Sequence, residues 1–90
     1  MATFTNDIAI GSAAIASGGN SMAIGTGSAG IHSNSVAFGP LDHTGTGVAT
    51  TTTNQIVIGT ANHHVTIPGF LRTVVGASNF ITVAGSTNVM

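Results

Sequence analysis

Cysteine, tryptophan and tyrosine are absent from this chain of 90 residues, and charge is nearly so. Asp7, Asp42 and Arg72 are the only formally charged side chains, 3% of the sequence against roughly 25% in ordinary globular domains. Without cysteine there are no disulfide staples and no thiolate metal sites, while the redox compartment stays open. Without clustered Lys and Arg, and with a net charge of −1, electrostatic capture of nucleic acid or of acidic lipid is excluded. No segment reaches the roughly 18 apolar residues of a membrane span. The N-terminus also lacks the basic region and apolar core of a secretion signal, so an exported surface protein is expected to draw on parts outside this sequence. With so little charge, the surface must be built of hydroxyls, amides and backbone.

What the chain does contain is 13 glycines among abundant Ser, Thr, Asn, Ala, Val and Ile, together with an internal repeat. Asn6, Asn20 and Asn34 open the segments NDIAIG, NSMAIG and NSVAFG, so the motif recurs at every fourteenth position. A unit this short cannot be a domain. It is one coil of a stack that buries its apolar face only against the copies above and below it.

Each repeat alternates. Ile8 with Ile10, Met22 with Ile24 and Val36 with Phe38 share one strand face, and Ala9, Ala23 and Ala37 take the other. Gly11, Gly25 and Gly39 end the strands where a sharp corner calls for positive φ. Small residues follow at matching offsets, Ala14 and Ala16 in one repeat and Ser28 and Gly30 in the next. One repeat therefore predicts two strands and two corners, stacked in parallel at about 4.8 Å per coil. Such a roll has room inside for small side chains only, which leaves a continuous apolar stripe to be covered from outside the protomer. The fold class expected is all-β: short parallel β-roll or β-solenoid coils, one per fourteen-residue repeat, followed by further strands and assembled as a homotrimeric fibre.

The third repeat decays after Gly39, so the roll is expected to stop there, giving a β-roll domain over residues 1–47. The Thr-rich stretch 48–53 reads as a connector and residues 54–90 as a β-stranded shaft or cap. NQIVIG at 54–59 repeats the opening motif, but Asn54 comes six positions later than the period counted from Asn34 allows, as if a segment had been inserted into an ongoing pattern. Its partner is expected at 63–67 (HHVTI), stopped by Pro68 and Gly69. Two more strands are expected at 70–75 and 80–83, divided by 76–79, with 85–90 as an edge or frayed end.

The motif N-S-[VM]-A-[IF]-G, with small residues three and five places after the glycine, resembles the head repeat of YadA-like trimeric autotransporter adhesins over residues 6–39. That family's left-handed parallel β-rolls associate as trimers, so the resemblance implies a trimeric surface module; the coiled-coil stalk and membrane-anchor barrel of a full adhesin are not in this sequence. Residues 56–71 (IVIGTANHHVTIPGFL) resemble shaft segments of phage tail fibres and other viral fibres. Both resemblances imply a homotrimeric β-fibre of a virion or cell surface.

Chemistry is sparse. His63 and His64 point to opposite faces of a strand, so one of them could form a ring of three imidazoles on a three-fold axis. Two ligands on one face would need His at i and i+2, however, so they are weak metal candidates and no metal or cofactor is expected. Asp42 and His43, with Ser35 or Thr44 as a nucleophile, lack both a second carboxylate and a nucleophile elbow. Gly25, Gly27 and Gly30 (GTGSAG) lack the following helix that a phosphate loop needs. An ice-binding threonine array should recur at the coil period, yet positions 12, 26 and 40 are Ser, Thr and Pro.

The sequence therefore predicts a non-enzymatic structural protein whose partner is itself, with a host receptor or glycan as a further partner. Multivalent presentation of three identical loops would supply avidity. Ile8, Ile10, Met22, Ile24, Val36, Phe38, Ile56 and Ile58 are the expected trimer core. Asp42, His43 and Thr44, at the break in the pattern, are the expected receptor contacts. The head fragment of a bacterial adhesin and a self-assembling filament or ice-binding solenoid are the alternatives.

Overall fold

The computed structural model describes residues 1–72. Six short strands form two parallel sheets, with β1 (Ile8–Ile10), β3 (Met22–Ile24), β5 (Val36–Phe38) and β6 (Ile56–Ile58) in the order β1-β3-β5-β6, and β2 (Ile15–Ala16) paired with β4 (Ala29–Gly30). Like pairs with like: Ile8, Met22, Val36 and Ile56 are successive partners, as are Ile10, Ile24, Phe38 and Ile58. Isolated bridges add Ala2 below Ala16 and Ala49 above Ala29, so the second sheet also has four rungs. The chain winds alternately through the two sheets, which makes each coil a flattened turn of a roll.

The corners explain why asparagine and glycine recur. Asn6, Asn20, Asn34 and Asn54 take φ of 63°, 54°, 55° and 57°, the left-handed region that asparagine tolerates better than other residues with a side chain. Their amides stack as well, Asn6 Nδ2 donating to Asn20 Oδ1 at 3.0 Å and Asn20 Nδ2 to Asn34 Oδ1 at 3.4 Å. At the other corner Gly25 has φ of 126°, and a Cβ there would lie 2.0 Å from Gly39 O. Conformation and stacking distance both demand glycine.

The interior is made of methyls and hydroxyls. Ala14, Ala16, Ala23, Ala37 and Val48 are its buried apolar residues, with Ser21, Ser28, Ser35 and Thr50 beside them. The serine hydroxyls in this layer are all used: Ser28 Oγ donates to Gly25 O at 2.8 Å, Ser35 Oγ to His32 O, and Ser21 Oγ to Asp7 Oδ1 at 3.0 Å. Among the described residues no buried side-chain nitrogen or oxygen lacks a partner, as a core with almost no apolar bulk requires.

The ladder does not stop at Gly39, as the decay of the repeat led us to expect. β6 continues the first sheet in register. The Thr-rich stretch does not merely connect, since Ala29 N donates to Val48 O at 2.8 Å and Thr50 N to Ala29 O at 3.1 Å, and Val48 and Thr50 are 1% and 2% exposed. The extra residues are a loop, 41–46, spliced between Pro40 and Gly47. Gly47 resumes the coil so closely that a Cβ on it would sit 2.1 Å from Gly27 O.

Beyond β6 the expectation fails. Residues 63–67 form no strand, because His63 is drawn into a turn in which its N donates to Thr60 O at 3.1 Å and its Nδ1 accepts from Thr60 N at 2.8 Å. Residues 70–72 form no strand either. The rest of the strand expected at 70–75, the strand expected at 80–83 and the end segment 85–90 lie outside the described residues.

Candidate functional site

Alternation along the four-stranded sheet fixes where its large side chains go. Ala9, Ala23, Ala37 and Val57 occupy the inward positions, so Ile8, Met22, Val36 and Ile56 form one outward column and Ile10, Ile24, Phe38 and Ile58 a second. Eight large apolar residues thus share one sheet face four rungs tall. Ile10, Ile56 and Ile58 are 57%, 71% and 58% exposed, Ile8 and Phe38 are also exposed, and Met22, Ile24 and Val36 are half-buried by their neighbours above and below. Among the described residues the larger apolar mass therefore lies on the surface while alanine and serine dominate the interior. This inverts the usual distribution.

At the end of this face a shallow cavity of about 280 Å³ is lined by Phe38, Gly39, Pro40, Ile58, Gly59, His63, His64 and Val65. Both histidines of the pair line it. His63 Nδ1 is taken by Thr60 N, and no cluster of three His, Asp or Glu exists among the described residues.

The inserted loop places its residues differently from expectation. His43 and Thr44 are exposed, but Asp42 is 9% exposed and its carboxylate is occupied. Oδ1 accepts from Thr44 N at 2.9 Å, Thr46 N at 3.1 Å and Thr44 Oγ1, and Oδ2 accepts from Thr60 Oγ1 at 2.7 Å and Asn62 Nδ2 at 3.2 Å. The Thr44 and Thr60 hydroxyls hold its pKa far below the usual carboxylate range; burial opposes them, and Thr46 N and Asn62 add to the lowering. Asp42 is thus a hub inside the loop, while His43 and Thr44 are exposed on it. Asp7 is held in a similar way at the first coil. Burial raises its pKa, and hydrogen bonds from Ser21 N, Phe4 N, Ser21 Oγ and Gly19 N lower it by more.

Two features carried no sequence signal that we used. The pattern D-x-T-G-T after Pro40 is the signature of a side chain that bonds the backbone two residues on, and it could have identified the Asp42 hub. His32 Nδ1 lies 3.0 Å from Thr50 Oγ1, which also accepts from Ile31 N at 3.3 Å; this link became visible only once Thr50 was placed inside the roll.

Against this geometry the comparison with known families is informative. Residues 5–28 match the YadA head domain repeat, in two copies. The match covers the first coil and most of the second, including β1 to β3. Comparison with curated proteins gave no match, and comparison with solved structures gave none. The chain thus carries a module that resembles a YadA head repeat, a structural and non-catalytic unit. Nothing in these comparisons links it to phage tail fibres. Among the described residues no helix is long and apolar enough to cross a membrane.

Proposed function

We propose that this chain is a head-type β-roll module of a surface adhesin, and that three copies close their aliphatic faces around a three-fold axis to make a stiff attachment rod. In this reading Ile8, Ile10, Met22, Ile24, Val36, Phe38, Ile56 and Ile58 are the trimer core. The inserted loop presents His43 and Thr44 three times around the rod, to a host protein or glycan, and the residues after Ile58 lead into a shaft or cap. The module acts outside the cell, mechanically and by avidity.

The observation that carries the reading is the inverted distribution of apolar bulk. Among the described residues the five buried apolar ones, four of them alanine, contribute about 0.8 kcal/mol per buried methyl-sized group, a small return against the conformational entropy of the coils. The exposed ladder is where burial remains to be gained. The match over residues 5–28 favours an adhesin head over a virion appendage, which rests on residues 56–71 alone. Ice binding loses support because Thr50 faces the interior and Thr51 Oγ1 donates to Gln55 Oε1 at 3.2 Å. Sedimentation equilibrium of the purified chain tests the proposal. A trimer is expected, and a stable folded monomer at micromolar concentration overturns it.

A further inference from the structure

The splice at Pro40 affects the coil above it. Gly59 stacks on Gly39, and its N donates to Phe38 O at 2.9 Å. Val36 pairs with Ile56 and Phe38 with Ile58, so in the same register Thr60, Ala61 and Asn62 fall one coil above Pro40, Leu41 and Asp42. That position is the entrance to the inserted loop, where the lower coils have their ordinary corner. Both polar side chains in this stretch are tied to Asp42, Thr60 through Oγ1 at 2.7 Å and Asn62 through Nδ2 at 3.2 Å. The turn then closes on itself, with Asn62 N donating to Thr60 Oγ1 at 3.1 Å and His63 N donating to Thr60 O.

In the lower coils the same stretch leads into the second sheet. Gly25 is followed through Gly27 and Ser28 by β4, and Gly39 by Gly47 and then Val48, Ala49 and Thr50. After Gly59 there is no such return among the described residues, and 63–67 form no strand.

We propose that Asp42 is the terminator of the roll: carried on the 41–46 insertion, its carboxylate moors Thr60 and Asn62 and holds the chain away from the second sheet, which gains no rung above residues 48–50 among the described residues. A carboxylate suits this role for a chemical reason. It is acceptor-only, and five donors converge on its two oxygens, three from the loop and two from the coil above. Charge makes each of those bonds stronger than its neutral counterpart. An asparagine must turn an NH₂ group toward one of the two donor sets and lose it. The loop thereby both interrupts the third coil and ends the fourth, and this role does not depend on how many protomers assemble.

Amide hydrogen exchange read by NMR or mass spectrometry on the full chain, for the native protein, Asp42→Ala and Asp42→Asn, tests this. In Asp42→Ala, exchange at Thr44 and Thr46 and across residues 60–63 is expected to rise together by tenfold or more, with β1, β3 and β5 unchanged. Asp42→Asn should release one of the two sets. If residues 60–63 keep native protection while Thr44 and Thr46 lose theirs, Asp42 does not direct the exit and the proposal fails.

Discussion

Replacing Ile24 with aspartate probes the aliphatic face at its centre. Ile24 lies between Ile10 below and Phe38 above and is half-buried within the protomer. Closing the face would therefore gain it about 1 kcal/mol, half of the roughly 1.5–3 kcal/mol for full burial of such a side chain. An aspartate forfeits that gain and brings an unpaired carboxylate into an apolar seam, at an effective cost of about 3 kcal/mol or more. The loss is about 4 kcal/mol per copy and roughly 12 kcal/mol for three, the whole binding free energy of a nanomolar complex. Sedimentation velocity at micromolar concentration should therefore show Ile24→Asp as a monomer. Ile15→Asp is the control, because Ile15 is exposed on the second sheet, away from the ladder, and it should sediment as the native protein does. A folded Ile24→Asp trimer would show that the subunits meet elsewhere and would refute the reasoning.

Other consequences can be measured on stability. Gly25→Ala meets both a φ of 126° and a contact 2.0 Å from Gly39 O, and should lower the unfolding free energy by about 3 kcal/mol in chemical denaturation. Asn20→Ala combines the left-handed penalty with the loss of two amide bonds and should cost about 2 kcal/mol. Asn20→Gly relieves the first of these and should cost about 1 kcal/mol. Val48→Ala opens a cavity in the core and should cost about 1–3 kcal/mol, whereas a mere connector residue would give no change. The folded-state pKa of Asp42 is lowered, so its contribution is present above the ordinary aspartate value of 3.8 and is lost only as pH falls through the lower folded value. Amide exchange at Thr44 and Thr46, corrected for intrinsic rates, should thus stay flat from neutral pH to about 4, and a loss of protection near pH 5 would contradict the hub.

Period and alternation made most of the roll legible in the sequence. The even spacing of Asn6, Asn20 and Asn34 fixed the coil, and the alternation of Ile8, Ala9 and Ile10 fixed which side chains face inward. The third coil was harder because pattern reading gives every residue equal weight, while the fold does not. The insertion at 41–46 broke the apparent period, yet Gly39 and Gly47 stack on Gly25 and Gly27 as though the loop were absent. Threonines at 50–53 read as polar connector because a hydroxyl looks solvent-facing. In a core this narrow, Thr50 fits the inward position of Ala16 and Gly30, since one methyl fills the space and His32 satisfies the oxygen. The strand expected at 63–67 had the right alternation but does not reach the edge of the second sheet at residues 48–50, because the turn at Thr60 has already turned the chain aside.

The stacked glycines at either end of the splice also bear on how surfaces of this kind can diversify. Gly39 and Gly47 keep the stacking of the coil although residues 41–46 are spliced between them, so the coils below tolerate an insertion there, while the coil above is tied to it through Asp42. Doubling such a loop costs only about 0.6 kcal/mol of closure entropy. The glycine corner at Gly39 and Gly47 is in effect a socket, whose filling can change while the coils beneath keep their geometry.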